Sequence, residues 1–155
     1  MKRAIACTVN GRPVEIEVDP AGLLLDAVRD QWGLLGARRG CETGHCGACT
    51  VLVDGQAVRS CLFLAARIAG RQLTTIEGLE TAGELDRLQS SFIEHGALEC
   101  GYCVPGMILL AKSFLAQNPH PTDDEIRRAL SSNLCRCTGY VKMIEAVRAA
   151  SLLER

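Results

Sequence analysis

The sequence predicts an α+β chain of two consecutive units, a β-rich one over residues 1–76 and a four-helix one over residues 77–155. Three observations carry this. Short β-branched segments separated by turn dipeptides fill the first half, the apolar period turns helical from about Glu84, and the cysteines fall into one set in each half.

Ala4–Val9 and Val14–Val18 are the first two strands, and Asn10-Gly11 between them suits a type I′ hairpin. Leu24, Leu25, Val28 and Trp32 recur at helical spacing, so Gly22–Gln31 reads as a helix on that sheet. After the glycine-rich Gly33–Gly47, Thr50–Val53, the turn Asp54-Gly55 and a strand through Val58 form a second hairpin. Leu73–Ile76 is the last strand, and Glu77–Gly83 is a link. Beyond it Leu85, Leu88, Phe92 and Ile93 share one helical face. Pro105 suits the first position of a helix with the stripe Ile108, Leu109, Ala111 and Leu115, which stops at Asn118-Pro119. Thr122 to Glu125 is a capping box for a helix carrying Ile126, Ala129 and Leu130, and a last helix runs from Val141 to Leu153.

Composition excludes several classes of function. With 48% hydrophobic and 23% charged residues the chain is globular, and its net charge of −1 offers no bulk attraction to nucleic acid or an anionic membrane. Met1-Lys2-Arg3 is basic, but the apolar run after it ends at Asn10-Gly11, too short for a secretory signal. Leu23-Leu24-Leu25 is cut off by Asp26, so no membrane span is expected and the expected location is cytoplasmic. Nine cysteines are about 6% of the chain, under the roughly 8–10% of disulfide scaffolds. Thiols in such a chain serve metal or redox chemistry.

Cys41, Cys46 and Cys49 stand four and two residues apart, and Cys61 follows after eleven more. This C-x4-C-x2-C…C run is the plant-type spacing of a [2Fe–2S] cluster. Three thiolates from one loop must surround a small rhomb while backbone amides approach its sulfurs. That needs positive φ and side-chain-free approach, which Gly40, Gly44 and Gly47 can supply. Other chemistries fit less well. A thioredoxin-like dithiol at Cys46-Gly-Ala-Cys49 would open a helix, where a strand is expected. Zinc would call for a second close pair, and a Rieske centre for two histidines where only His45 is present.

The second set, Cys100, Cys103, Cys135 and Cys137, is open on spacing alone to zinc, a disulfide, a redox dithiol or a second cluster. Cys100 and Cys103 can share one side of the turn before Pro105. Cys135 and Cys137 would point apart on a regular helix, so a helix end at Thr138-Gly139 is expected to let them converge. Cys7, in the first strand, reads as a small buried hydrophobe. His45 reads as a loop neighbour, and His95 and His120 as surface or capping residues.

Gly40-Cys-Glu-Thr-Gly-His-Cys-Gly-Ala-Cys-Thr50, Cys100-Gly-Tyr-Cys-Val-Pro-Gly106 and Asn133-Leu-Cys-Arg-Cys-Thr-Gly-Tyr140 together resemble the small iron–sulfur subunit of the molybdenum hydroxylases, the xanthine oxidase family. The resemblance covers both units in order. It implies a β-grasp plant-type [2Fe–2S] ferredoxin domain followed by a four-helix [2Fe–2S] domain. Cys41, Cys46, Cys49 and Cys61 would ligate one cluster, and Cys100, Cys103, Cys135 and Cys137 the other. It further implies a large partner subunit with a molybdenum–pterin cofactor and a medium one with FAD, in a heterotrimer or a dimer of heterotrimers. The chain would relay electrons and carry no substrate chemistry, in an oxidoreductase that acts on a heterocycle, an aldehyde or carbon monoxide.

Two positions depart from the family pattern. Glu99 stands where Gln is common beside the pterin, and a carboxylate only accepts where an amide also donates. Glu99 would then be protonated beside the pterin or turned away from it; with Cys137 it is a candidate pterin-side contact. Val104 replaces a common Thr or Ser. The competing readings are a free-standing ferredoxin-like carrier with a structural metal in its helical unit and a zinc-stabilised interaction module.

Overall fold

A computed structural model describes residues 2–153; the first residue of the unit assigned to 1–76 and the last two of that assigned to 77–155 lie outside it. Strands β1 (Arg3–Val9) and β2 (Arg12–Val18) pair antiparallel through Asn10-Gly11, both at positive φ as a type I′ turn requires. Strands β3 (Thr50–Val53) and β4 (Gln56–Arg59) form the second hairpin, and β5 (Gln72–Thr74) lies between the two, parallel to β1 and antiparallel to β3. The order β2-β1-β5-β3-β4 makes one mixed sheet, the β-grasp arrangement that the resemblance implies.

The first helix is shorter than Gly22–Gln31. Only Leu24–Asp26 (α1) is α-helical, and Ala27–Gln31 continues as a wide π turn. The start is displaced because the preceding backbone is used elsewhere: Leu24 and Leu25 donate to Phe63 and Ser60 carbonyls, and Ala65 donates to Gly22. Leu24, Leu25, Ala27 and Val28 are still buried, against Ile5, Val9, Val51 and Val53. Cys7 lies in the same core, and its burial pushes the thiol pKa up.

The last strand ends at Thr74 rather than Ile76. Thr75 N–H instead donates to Asn10 Oδ1 at 2.9 Å, and Ile76–Gly78 forms a 3₁₀ turn.

Four further helices follow: α2 (Arg87–Glu94), α3 (Val104–Gln117), α4 (Asp123–Leu130) and α5 (Val141–Leu152). Helix α2 starts after Glu84 because Asp86 caps it, with Gln89 reaching back to the Asp86 amide. Leu88 and Phe92 are buried, whereas Leu85 and Ile93 are 46% and 55% exposed, so the core-facing stripe is narrower than the sequence suggests. Helix α3 begins at Val104, one residue before Pro105. The capping box at Thr122 and Glu125 forms in both directions.

Strand β3 joins the two units. All four of its residues are buried, and alternate side chains serve different cores. Val51 and Val53 pack with α1, while Leu52 belongs to the helical core with Met107, Phe92 and Ile126. Among the described residues no helix is long and apolar enough to cross a membrane.

Candidate metal centres

The first thiol set is built on the irregular segment before β3. Backbone amides of Thr43, His45 and Cys46 point at Cys41 Sγ at 3.4, 3.2 and 3.2 Å, and Cys41 N–H points at Cys46 Sγ at 3.4 Å. The Thr43 hydroxyl, then the Cys46 and Thr43 amides, lower the Cys41 thiol pKa to about 5. The loop closes this tightly through Gly44 and Gly47, at φ +77° and +76°; Gly40 contributes close approach instead, since a Cβ there would sit 2.6 Å from Cys46 Sγ. Glu42 also adopts positive φ, which sequence pattern did not signal, and its carboxylate pairs with Arg39 at 3.0 Å. Cys49 and Cys61 lie deeper, each 2% exposed; burial and the hydrogen-bonded Cys49 thiol push Cys61 up to about 11.

The second set forms between the N-terminus of α3 and the segment joining α4 to α5. Gly101, at φ +78°, turns the chain between Cys100 and Cys103, and Cys103 is the N-cap residue of α3. Burial and the neighbouring Cys135 thiol push Cys103 up to about 12. Cys135 and Cys137 do not end a helix. Helix α4 stops at Leu130, and the two cysteines sit on irregular backbone, which turns both towards the Cys100–Cys103 segment without a helix terminus. Gly139 and Tyr140, both at positive φ, start α5 instead. The Tyr140 hydroxyl accepts from Cys135 N–H at 2.8 Å and donates to the Asn133 carbonyl at 3.0 Å. Cys135 Sγ lies 3.2 Å from Thr138 Oγ1; burial raises its pKa, but the Thr138 hydroxyl and amide outweigh it and leave it lowered.

Both sets consist of pairs. Cys100 and Cys137 Sγ stand 3.6 Å apart, the Cys135 thiol neighbours Cys103 and the Cys49 thiol neighbours Cys61, and Cys41 shares amides with Cys46. All nine thiols are free. Among the described residues no three Cys, His, Asp or Glu side chains converge as around a single ion. Two thiol pairs with amides aimed at sulfur suit a rhomb of two irons, each iron taking one pair, better than one tetrahedral zinc.

A mostly apolar cavity of about 240 Å³ separates the two sets, with Cys41 and Cys46 on one wall and Cys100, Cys103, Cys135 and Cys137 on the other. Tyr102 closes one side. Its hydroxyl donates to the Arg39 carbonyl, and its ring lies 5.6 Å from the Arg38 guanidinium. Leu134 N–H donates to the Cys46 carbonyl at 2.8 Å, which ties the backbone of one set to that of the other. Tyr102 and Leu134 stood inside the quoted motifs, but nothing in their spacing announced these contacts.

The histidines stay outside. His45 and His120 are exposed, and His95 Nδ1 lies 2.8 Å from the Ser91 carbonyl at the end of α2. Glu99 is exposed beside the exposed Cys100, and Cys137 is exposed too. A larger cleft of about 430 Å³, lined by Asn10, Arg12, Trp32 and Glu77, contains no thiol.

Residues 7–75 match the model of the 2Fe-2S iron-sulfur cluster binding domain, and residues 75–148 that of the [2Fe-2S] binding domain. The chain is 47% identical over 149 residues to the nicotinate dehydrogenase small FeS subunit of Eubacterium barkeri, covering 96% of this chain and 95% of that one. It is 45% identical over 145 residues to the xanthine dehydrogenase iron-sulfur-binding subunit of Escherichia coli O157:H7, covering 92% and 91%. A chain in the crystal structure of quinoline 2-oxidoreductase from Pseudomonas putida 86 superposes with a TM-score of 0.93 at 47% identity, over 97% of this chain and 94% of that one.

Proposed function

Since the chain belongs to the small iron–sulfur subunits of the molybdenum hydroxylases, we propose that it passes electrons from a molybdenum–pterin site in a large partner subunit towards FAD in a medium one. Cys41, Cys46, Cys49 and Cys61 hold one [2Fe–2S] group, and Cys100, Cys103, Cys135 and Cys137 hold the other. Bound there, each group can take up and release one electron. The observation that carries this reading is the hydrogen bond from Leu134 N–H to the Cys46 carbonyl at 2.8 Å. Through it a ligand of one set, Cys135, connects to a ligand of the other with one hydrogen bond and otherwise covalent bonds.

The remaining residues insulate and orient. Tyr102 and Leu134 line the mostly apolar cavity onto which both thiol sets open, and their apolar surface favours a low local dielectric there. The amides at Cys41 and Cys46 stabilise negative charge on sulfur and so raise the potential of the group held there. The chain's own surface suggests a direction. Cys49 and Cys61 are sealed, whereas Cys100 and Cys137 are exposed beside Leu98 and Leu134, themselves 40% and 47% exposed. We assign that face to the large subunit, with Glu99 and Cys137 nearest the pterin.

We further place the division between the two units at 76/77, the assembly in the cytoplasm, and its stoichiometry at one heterotrimer or a dimer of heterotrimers. The test is anaerobic purification from the native host with iron, zinc and sulfide analysis and EPR after reduction. About four irons and four sulfides per chain with two distinct [2Fe–2S] signals are expected, together with co-purifying molybdenum. About two irons and one zinc would leave a one-cluster carrier with a structural helical unit, and would overturn the relay.

A further inference from the structure

The two thiol-bearing loops also meet at a junction that contains no thiol. Its centre is the Gly47 carbonyl, between Cys46 and Cys49, which accepts from Thr50 N–H at 3.1 Å, Thr50 Oγ1 at 2.6 Å and Asn133 Nδ2 at 3.2 Å. Thr50 is fully buried and Asn133 is 1% exposed. Arg59 braces the same point from β4: Nη1 donates to Thr50 Oγ1 at 2.6 Å and Nη2 to the Ser132 carbonyl at 2.7 Å.

Packing at the junction leaves no freedom to drift. A Cβ on Gly47 would overlap Asn133 Oδ1 and Cγ, and one on Gly106 of α3 would sit 2.5 Å from the Gly47 oxygen. Only bare backbone fits on either side of the Asn133 amide. That amide has a cost, since Oδ1 is buried without a hydrogen-bond partner among the described residues. What Asn133 supplies is its donor: Tyr102 of the helical unit donates to the same loop at the Arg39 carbonyl, whereas Asn133 donates at Gly47, between Cys46 and Cys49.

We propose that Asn133 is a positioning residue that holds the two cluster loops in register, and so fixes the separation and orientation across which an electron passes between them. Asn133 touches neither thiol set and acts through Gly47 on one side and through Leu134 and Cys135 on the other. The step it governs is a one-electron exchange in which one cluster is oxidised as the other is reduced. This rests on the two-cluster reading above.

The test uses the intact complex, purified anaerobically, as wild type, Asn133→Ala and Asn133→Asp. The readouts are iron and sulfide content and the spin–spin splitting between the two reduced clusters in low-temperature EPR. The alanine variant removes the donor. The aspartate variant keeps the shape and turns an acceptor towards the Gly47 oxygen. With about four irons retained, loss or marked change of the splitting in both variants is expected, while each cluster keeps its own g-values. Splitting identical to wild type in an iron-replete variant would overturn the role. If the alanine variant loses iron through its cavity, the aspartate variant decides. If both lose iron, Asn133 serves assembly rather than register, and the proposal fails. A wild type with a single cluster would refute the relay itself, a separate outcome.

Discussion

Replacing Gly47 with alanine adds one methyl group where the structure has no room for it. The backbone there is at φ +76°, and left-handed geometry costs a residue with a Cβ roughly 1–2 kcal/mol. The methyl would also overlap Oδ1 and Cγ of Asn133 and lie 2.9 Å from its Nδ2. Asn133 cannot swing away, because the Gly47 carbonyl and Gly106 enclose its amide. Overpacking of a closed site costs about 1–3 kcal/mol more, so the total is about 2–5 kcal/mol. For a chain of this size that lowers the melting temperature by roughly 4–20 °C. Gly55→Ala is the control, with φ +78° and nothing within 4 Å of the added methyl. It carries only the strain, about 1–2 kcal/mol. Thermal unfolding of the two iron-replete variants, side by side, separates the terms. If Gly47→Ala melts no lower than Gly55→Ala, the close approach of the two loops is wrong.

Cys61→Ser and Cys137→Ser should each lower iron from about four to about two per chain and remove a different [2Fe–2S] EPR signal; loss of the same signal from both would merge the two ligand sets. Glu99→Gln restores the amide common in the family and should change the potential of the C-terminal cluster or the molybdenum retained by the complex; if both are unchanged, Glu99 points away from the pterin. Thr122→Ala deletes the hydroxyl that accepts from Glu125 N–H and should destabilise α4 by about 0.5–2 kcal/mol. Amide exchange in Ile126–Leu130 reads this, and unchanged protection would mean that the cap contributes nothing.

The signals that were legible in the sequence are local ones. The Asn10-Gly11 and Asp54-Gly55 turns, the Thr122–Glu125 box and the C-x4-C-x2-C run each depend on residues a few positions apart, and each has its expected local form. What was not legible depends on distant partners. The start of α1 is set by Phe63 and Ser60 carbonyls, about forty residues on, and hydrophobic spacing is blind to them. Sequence spacing places the convergence of Cys135 and Cys137 at a helix end because spacing carries only local geometry. In the structure irregular backbone does this, held by Tyr140, Thr138 and the bond from Leu134 to Cys46. Asn133 stood in a quoted motif without a role, since its partner, Gly47, is 86 positions away.

The energetic faults of this chain are not spread evenly. Among the described residues five non-glycine residues adopt positive φ, and two of them, Asn10 and Asp54, are turn residues suited to it. Of the other three, Glu42 follows Cys41 directly and Tyr140 stands three residues after Cys137; Ala82 lies in the link. Among the described residues three buried side-chain polar atoms lack a partner, Arg29 Nε, Arg38 Nε and Asn133 Oδ1, and the last sits between the same two loops. Such positions persist only where their surroundings over-determine them. Here the surroundings are visible: Arg39 holds the Glu42 carboxylate, and the Tyr140 hydroxyl is fixed by Asn133 and Cys135. A single cysteine-lined loop could hold its thiols with glycines alone. Two loops from different units need bonds across the junction as well, and these come from Asn133 Nδ2 and Leu134 N–H, while the strained backbone at Glu42 and at Tyr140 is braced within its own loop.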